Sequence, residues 1–315
     1  MFTGGSGVTI LALGGLLFPA LLRDGYRERF SLGLLTASGS LGLLFPPAMP
    51  LILYAIVAQV APDDLFVAGI LPGVMLGLGM FTAVWWVARR LGLPTAEVPG
   101  GFRAYKGELV HAIPALLMPI FVIGTLRFGI ATPTEVSVMA VAYALFVSGV
   151  IYRDLTLRDI WKAMIDTGVM TGAVLIIIMA SSAIQWILTA ERTPQTLAIW
   201  VTETLSEPWM VILALNLVMI IVGTFLDLPA AVLLLGPLFV TIANAIGLDL
   251  VQLGLMMVVN LAVGLYTPPV GTTLFISAAI AQTGIGSVVK SLLPFYAVSV
   301  IVLLLISYVP ALTIY

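Results

Sequence analysis

The sequence contains very few charged residues. Of its 315 residues, 9% are charged and 61% are hydrophobic, and the mean hydropathy is +1.17. Soluble domains carry about 25% charged residues, so this chain cannot cover a water-facing surface, and a soluble globular enzyme is excluded. The net charge of −2, without a basic stripe for phosphates, also excludes a nucleic-acid-binding protein.

Cysteine is absent, and His111 is the single histidine. Without cysteine the chain cannot form a disulfide, an iron–sulfur cluster or a thiolate zinc site. One histidine excludes motifs that bind a metal through two histidines. We therefore expect neither an organic cofactor nor a transition metal, and the composition predicts an all-α polytopic membrane protein.

Several apolar stretches are long enough to cross a bilayer, which takes about 20 residues. Two further regions are longer than one crossing needs and are interrupted by Pro46-Pro47 and Pro268-Pro269. Proline removes a backbone hydrogen bond and clashes with the preceding turn, so each region is predicted to be a broken transmembrane helix. Broken backbone at membrane depth is tolerated only inside protein or beside a water-filled cavity. The predicted spans are 65–88, 109–127, 133–151, 167–189 and 291–314, and the broken regions are 31–61 and 250–283.

Two shorter apolar arms, 210–222 and 230–246, precede the second broken region. At about 13 to 17 residues they are too short to cross comfortably, so we predict a re-entrant hairpin whose tip lies mid-membrane. Residues 8–22 are predicted to be the returning arm of an equivalent hairpin, with its tip at residues 4–7. We expect the first arm of that hairpin to be missing, upstream of Met1.

The two broken regions repeat each other when they are aligned on their Pro-Pro pairs. Each has a glycine four residues before the pair, another glycine 21 residues before it and a polar residue eight residues before it. Internal repeats with interrupted helices point to the binding site of a transporter. The matched residues are Gly42 and Gly264, Gly25 and Gly247, and Ser38 and Asn260, with Ser6 and Asp227 at the two hairpin tips.

Basic residues are concentrated in four loops, which hold 11 of the 13 Lys and Arg residues. By the positive-inside rule these loops are predicted to be cytoplasmic. The first hairpin then returns to the cytoplasm at Arg23, whereas the second returns to the opposite side near Gly247. The two repeats are therefore predicted to have inverted topology. The basic loops are 23–29, 89–106, 153–162 and the loop at Lys290.

Each break would free backbone carbonyl groups beside hydroxyl side chains, and such hard oxygen atoms suit Na⁺. We predict one cation site between the first hairpin tip and the first break, and a second by pseudo-symmetry. In a competing interpretation the prolines only kink the helix, the serines bond back to its carbonyls and Asp227 only caps a helix. The first site comprises Gly5, Ser6, Ser38, Ser40, Gly42 and Phe45, and the second comprises Gly223, Thr224, Asp227, Asn260, Gly264 and Thr267.

The substrate is predicted to be a carboxylate that binds between the two hairpin tips. No Lys or Arg is available there, so the anion would be held by helix N-termini, hydroxyl groups and the bound Na⁺ ions. Without those ions, the site has too little positive potential to offset the desolvation of a carboxylate. The predicted substrate site comprises Ser38, Pro46, Pro47, Thr267, Pro268 and Pro269.

Taken in order along the chain, these motifs resemble the large (M), DctM-like permease subunit of tripartite ATP-independent periplasmic (TRAP) transporters. The resemblance implies a multi-pass protein of the bacterial or archaeal inner membrane, an elevator-type Na⁺ symporter of the ion-transporter superfamily. It also implies a small membrane (Q-type) subunit, a periplasmic solute-binding protein and an organic-acid substrate of the C4-dicarboxylate type. The motifs are Gly4-Gly5-Ser6-Gly7, Gly25-Tyr26, Thr36 to Gly42 with Phe45-Pro46-Pro47, Gly129 to Glu135, Phe225-Leu226-Asp227 and Gly264 to Gly271.

We divide the chain into a transport part and a scaffold part. Residues 1–61 are predicted to hold the remainder of hairpin 1 and the first broken helix, and residues 209–283 hold hairpin 2 and the second broken helix. Residues 62–208 are predicted to be scaffold-type helices with an outer amphipathic segment, and residues 284–315 the last transmembrane helix. The scaffold helices that open the family's longer members are expected to be missing here.

Two alternatives stay open at this point. A stand-alone Na⁺/anion symporter of the same superfamily would need no binding protein. An intramembrane enzyme would need paired aspartates, a Ser–His dyad or a metal cluster. One histidine near the membrane surface and one deep carboxylate do not supply these groups, so we expect a transporter rather than an enzyme.

Overall fold

The computed structural model describes residues 6–45, 48–92, 106–205, 207–281 and 283–313. Helices account for most of these residues, and the described part of the chain contains no strand. A short π-helical segment, Val147–Ile151, follows α6, and a 3₁₀ turn, Pro310–Leu312, follows α13. The α-helices in chain order are α1 (Ser6–Arg23), α2 (Glu28–Leu41), α3 (Met49–Ala58), α4 (Pro62–Leu91), α5 (Lys106–Arg127), α6 (Pro133–Phe146), α7 (Leu157–Ala190), α8 (Thr193–Thr204), α9 (Pro208–Phe225), α10 (Leu228–Ile246), α11 (Leu250–Gly264), α12 (Thr272–Ala281) and α13 (Ile285–Tyr308).

Seven of the described helices are long and apolar enough to cross a membrane. This confirms the prediction of an all-α polytopic membrane protein. Helix α13 begins earlier than the predicted last span, at Ile285 instead of residue 291, because Gly284 is its N-cap. It ends before Pro310, which cannot continue the helix. The seven segments are Pro62–Arg90, Leu109–Arg127, Pro133–Ile151, Leu157–Ala190, Pro208–Phe225, Leu228–Ile246 and Val288–Tyr308.

The arms of the second hairpin are longer than the sequence analysis predicts. α9 has 18 residues and α10 has 19, and both count among the seven candidate spans. The argument that these arms are too short to cross a membrane is therefore wrong. Helical hydrogen bonding in α9 continues to the Leu226 N–H, which donates to the Val222 carbonyl at 2.9 Å. Only Leu226 and Asp227 separate α9 from α10, so the loop is shorter than predicted.

Packing divides the chain into two compact units. The first unit holds α1 to α4, α8 to α13 and the part of α7 from Ala180 onwards, and the second holds α5, α6 and the rest of α7. This division differs from the boundaries at residues 62 and 208, because α4 packs on α13 and α8 packs on α10. The assignment of transport and scaffold parts stays a prediction.

The internal repeat is visible in the order and lengths of the helices of the first unit. α1, α2 and α3 contain 18, 14 and 10 residues, and α10, α11 and α12 contain 19, 15 and 10. The matched glycines Gly25 and Gly247 both have positive φ angles, 84° and 72°, a region that favours glycine. A long helix, α4 or α13, follows each triplet, so the repeat extends over four helices.

Helices of each repeat pack against helices of the other repeat. α1 packs on α12 and α10 packs on α3, so each returning arm lies against the last short helix of the other repeat. Gly14 and Gly236, each 11 residues before the turn glycine of its repeat, lie at these contacts. A Cβ atom on Gly14 would lie 2.9 Å from Ile280 Cδ1, and one on Gly236 would lie 2.8 Å from Val57 Cγ1. The two repeats therefore share one intertwined core.

Helix α11 lies inside this core. Every residue from Gln252 to Gly264 is buried, and α3, α4, α9, α10 and α13 all pack on the helix. At its start, the Tyr54 hydroxyl of α3 donates to the Leu250 carbonyl at 2.7 Å. The break that follows α11 is thus held in place from several sides.

The second unit has a well-capped helix start. The Thr132 hydroxyl accepts from the Glu135 N–H, and the Glu135 carboxylate accepts from the Thr132 N–H at 2.8 Å, which forms a capping box. Capping therefore accounts for the polar residues at the start of α6. The Tyr143 hydroxyl then joins α6 to α5 by donating to the Pro114 carbonyl at 2.7 Å.

Candidate functional site

Two glycines bring the second hairpin tip into contact with the second break. Gly223 near the end of α9 lies against Gly264 at the end of α11. A Cβ atom on Gly264 would be 2.4 Å from the Gly223 carbonyl carbon, and one on Gly223 would be 3.2 Å from Gly264 Cα. Only residues without a side chain allow two backbones to approach this closely. The structure therefore joins two members of the predicted second cation site.

Backbone hydrogen bonds connect this break to the hairpin. The Gly271 N–H donates to the Thr224 carbonyl at 3.0 Å, and the Thr273 N–H donates to the Leu265 carbonyl at 3.0 Å. Thr267 lies between these two bonds, and its hydroxyl donates to a carbonyl of α11 at 2.7 Å. The break is thus an ordered loop whose ends are both tied to neighbouring helices.

The proline pair of this loop lies at the surface of the first unit. Pro268 and Pro269 are exposed, and Thr267 beside them is half-buried. Asp227 at the hairpin tip is exposed as well. The predicted substrate residues of the second repeat therefore face outward next to the hairpin that the loop contacts.

Asn260 is fully buried in α11 and belongs to a polar cluster between α9, α11 and α13. Its Nδ2 donates to Asn216 Oδ1 at 2.6 Å and to the Met256 carbonyl at 2.9 Å. Asn216 Nδ2 in turn donates to Ser307 Oγ at 3.1 Å. The buried Oδ1 atom of Asn260 has no hydrogen-bond partner among the described residues. Leaving such an oxygen unpaired costs about 1–3 kcal/mol, so a cation or a water would be stabilised beside it.

Asp227 does not join this cluster, and its side chain makes no capping bond to α10. Asn216, the partner of Asn260, lies nine residues before Phe225 on α9, which is about 13 Å along a helix. Ligands of one ion lie within about 2.6 Å of it. Asn260 thus bonds to a residue well before the hairpin tip on α9, and the membership of Asp227 in the second cation site stays a prediction.

The serines of the first break bond back to their own helix. Ser38 Oγ donates to the Leu35 carbonyl at 3.2 Å, and Ser40 Oγ donates to the Ala37 carbonyl at 2.7 Å. This is the pattern of the competing interpretation. A hydroxyl that has donated its one hydrogen still carries oxygen lone pairs, so both serines keep the capacity to accept a hydrogen bond or to coordinate a cation.

The other members of the predicted first site are placed as follows. Gly42 continues from α2 with helical angles, φ −63° and ψ −15°. The Phe45 ring packs on Gly73 of α4, where an added Cβ would lie 2.8 Å from the ring. Ser6 is the first residue of α1. Gly5, Pro46 and Pro47 lie outside the described residues.

Residues next to the two breaks meet at a cavity of about 10 Å³, roughly the space of one water. Ser40 lines it from the first repeat and Tyr266 from the second. The Tyr266 and Ser299 hydroxyl oxygens are 2.8 Å apart. At the start of α1, Gly7 packs against Ile276 of α12. The first hairpin and the first break therefore both contact the second repeat.

The segments that carry the breaks contain no positively charged residue. The sequence has no Lys or Arg between Arg29 and Arg89, or between Arg192 and Lys290. These two stretches contain α3, α8 to α12 and most of α2 and α4. An anion held there must therefore rely on helix dipoles, polar groups or bound cations.

Three residues of this region are missing from the sequence-based prediction. Asn216 could have been identified from the sequence, because it is an amide side chain within the largely apolar segment Pro208–Phe225. Ser307 and Tyr266 could not have been identified in this way, since hydroxyl side chains are common in membrane helices. Their importance follows from the packing of α9, α11 and α13 around one another.

Comparison with known proteins decides the family. Residues 1–312 match the family described as the DctM component of the tripartite ATP-independent periplasmic transporter. The chain belongs to this DctM family. The protein is therefore a transporter permease rather than an enzyme, and with seven candidate spans it is a multi-pass protein of the bacterial inner membrane.

Individual relatives of this DctM-family chain cover nearly its whole length. It is 43% identical over 318 residues to y4mL of Sinorhizobium fredii, across 100% of this chain and 76% of the relative. It is 35% identical over 309 residues to the C4-dicarboxylate TRAP transporter large permease protein DctM of Pseudomonas aeruginosa, across 98% and 72%. It is 32% identical over 316 residues to the sialic acid TRAP transporter large permease protein SiaM of Vibrio cholerae, across 99% and 74%.

Proposed function

We propose that this DctM-family permease couples the entry of Na⁺ to the uptake of a small organic acid of the C4-dicarboxylate type. The relatives named for C4-dicarboxylates and for sialic acid both refer to carboxylic acids, which supports an organic anion as the substrate. The observation that carries the proposal is the buried Oδ1 atom of Asn260, which has no donor among the described residues. It lies four residues before Gly264, at the contact between hairpin and break.

A dehydrated Na⁺ ion is best held by oxygen atoms that have no other hydrogen to accept. Asn260 Oδ1 meets this condition. The Thr224 and Thr267 hydroxyls donate their hydrogens to carbonyls of α9 and α11, so their lone pairs can also face a cation. Amide, hydroxyl and carbonyl oxygens are the ligands of hard cations. Beside the first break, Ser38 and Ser40 supply hydroxyl oxygens.

The carboxylate of the substrate would bind near the helix that starts after the first break. α3 begins after Ala48 without a side-chain cap, so the N–H groups of its first turn, apart from Pro50, which has none, can receive an anion. In α12 the Thr273 N–H already donates to the Leu265 carbonyl. With no Lys or Arg in these segments, binding of the acid should require the Na⁺ ions.

The tripartite family implies two further proteins. We propose that a small membrane (Q-type) subunit extends the scaffold, that a periplasmic solute-binding protein delivers the acid, and that the transport part moves past the scaffold as an elevator. The alternative is a stand-alone symporter of the same superfamily. Proteoliposomes that take up free succinate without any binding protein would favour that alternative.

Na⁺ binding can be tested on the purified full chain before the substrate is identified. We expect sodium chloride, compared with choline chloride at the same ionic strength, to raise the apparent Tm. N260A should lose this protection, whereas the matched control N244A, on an exposed position of α10, should keep it. Full protection of N260A, or no protection of the wild type, would contradict the assignment.

Transport assays test whether uptake of the acid is coupled to Na⁺. Proteoliposomes with the permease, its small subunit and its binding protein are offered radiolabelled succinate and sialic acid as probes. Uptake of the accepted acid should stop when choline replaces Na⁺ at a fixed membrane potential. Uptake that continues without Na⁺, or that follows a proton gradient and is lost in H111A, would overturn the proposed mechanism.

A further inference from the structure

A basic cleft lies at the start of α2, at the opposite end of that helix from the first break. Its volume is about 260 Å³, close to the lower limit of common small-ligand sites, about 300 Å³. Arg27 and Arg29 line it from the start of α2, and Lys290 lines it from α13. No acidic side chain is among its described lining residues, so three positive charges border one opening. Its other walls are formed by Phe30, Val87, Ser291 and Pro294.

Neighbouring residues indicate that the cleft lies at the level of the lipid headgroups. On α4, Trp85 and Trp86 are 49% and 53% exposed, and Val87 directly after them lines the cleft. The Arg89 guanidinium carbon lies 4.1 Å from the centroid of the Trp85 ring, and that of Arg90 lies 5.0 Å from the Trp86 ring. Exposed tryptophans with basic neighbours are typical of a membrane–water interface.

We propose that this cleft binds the phosphate group of an anionic phospholipid. The three basic side chains attract the phosphate, and the apolar walls accommodate the glycerol and the adjoining part of the acyl chains. Basic pockets between transmembrane helices bind lipid headgroups in this way. The tryptophans and the apolar walls favour a lipid over a free phosphate ion, which would gain nothing from either feature.

The equivalent place in the second repeat has the opposite chemistry. A cavity of about 310 Å³ lies at the start of α11, and its described lining includes Asp249 and Gln252 but no basic residue. Asp249 Oδ1 accepts from the N–H groups of Val251 and Gln252 at 2.8 and 3.0 Å. Arg27 is the residue that the repeat matches to Asp249, and α2 has no side-chain cap. The start of α11 is thus capped by its own carboxylate, whereas α2 has Glu28 in its first turn but no side-chain cap, so the cleft owes its positive potential to Arg27, Arg29 and Lys290.

Native mass spectrometry of the full chain in detergent tests this proposal, with phosphatidylglycerol as the probe and phosphatidylcholine as the neutral comparison. The wild type should retain one phosphatidylglycerol molecule. R27Q/R29Q/K290Q should lower its affinity by about 100-fold. The control R153Q/R158Q/K162Q removes the same number of charges from exposed positions of the second unit and should bind as the wild type does.

One further variant separates lipid binding from folding. R27D supplies the carboxylate that Asp249 supplies in the second repeat, so it should abolish retention of phosphatidylglycerol while raising the apparent Tm. Unchanged lipid binding by R27D would overturn the proposal, and so would equal losses in the two triple variants. If millimolar inorganic phosphate displaces the lipid, the cleft is a site for a free anion, and the proposal of a phospholipid site is overturned.

Discussion

Beside the first break, the polar groups are serine hydroxyls that bond to carbonyls of their own helix. Beside the second break, the matched position holds Asn260, whose amide bonds to another helix and leaves one buried oxygen without a donor. The helices that surround the two breaks have nearly equal lengths and the same turn glycines. Matched positions in the repeats therefore share a backbone path, whereas the polar chemistry along that path has diverged.

The ends of the repeated helices show the same divergence. The start of α11 is capped by Asp249, and the start of α2 has Arg27 and no side-chain cap. The start of α12 is occupied by hydrogen bonds from within the break, and α3 has no side-chain cap. In both comparisons described groups accept from or donate to the helix start in the second repeat, whereas the helix starts of the first repeat have no side-chain cap.

The largest expected effect concerns the contact between Gly223 and Gly264 in the second repeat. G264A places a Cβ atom 2.4 Å from the Gly223 carbonyl carbon, where backbone cannot move aside, so it should destabilise the protein by about 3 kcal/mol. The measurement is the apparent Tm of the purified chain. G77A in α4, where nothing lies within 4 Å of the added atom, should leave the Tm unchanged or slightly raised. A G264A protein as stable as the wild type would show that the two backbones are not in contact.

The next effect compares the matched residues Asn260 and Ser38. N260A removes a buried amide that joins two helices and should cost about 2 kcal/mol, whereas S38A removes one long bond within a helix and should cost less than about 1 kcal/mol. N216A/N260A should cost less than the sum of the single variants by about 1 kcal/mol. Equal costs for N260A and S38A, or strict additivity with N216A, would remove the distinction between the two repeats.

A smaller effect is expected where one repeat donates a hydrogen bond to the other. Y54F removes the bond from α3 to the Leu250 carbonyl, and T36V removes the 2.7 Å contact between the Thr36 and Ser277 hydroxyls of α2 and α12. Each should cost about 1 kcal/mol, measured again as apparent Tm. Y26F, at a residue whose ring stacks on Phe30, serves as the control and should change little. If the losses of stability in Y54F and T36V differ widely, the two hydrogen bonds between the repeats are not equivalent.

The smallest expected effect concerns the two helix starts. D249A removes a carboxylate that accepts two amide hydrogens and should cost about 0.5–1 kcal/mol. R27A removes no cap and should change the stability of the lipid-free protein by less than about 0.5 kcal/mol. Both are compared by thermal unfolding in a detergent without added lipid. A loss for R27A as large as that for D249A would contradict the difference between the two starts.

Several elements could be predicted because they depend on local chemistry. The Pro-Pro pairs interrupt their helices wherever they occur, and Gly25 and Gly247 have the positive φ angles that a tight turn needs. The length of the second hairpin could not be predicted in this way. Gly223, Thr224 and Phe225 resemble a loop in sequence, yet they remain helical because α11 packs against them.

The sequence by itself determined that this chain folds in a membrane. It also determined the positions of the helix breaks and the existence of two matched repeats. These properties follow from composition, backbone restrictions and spacing, which do not depend on neighbours in space. Only the tertiary structure decided that α1 packs on α12 and α10 on α3, and that Asn260 bonds to Asn216. Residues far apart in the chain meet through helix packing, and no local pattern specifies which polar atom a packed helix will leave without a partner.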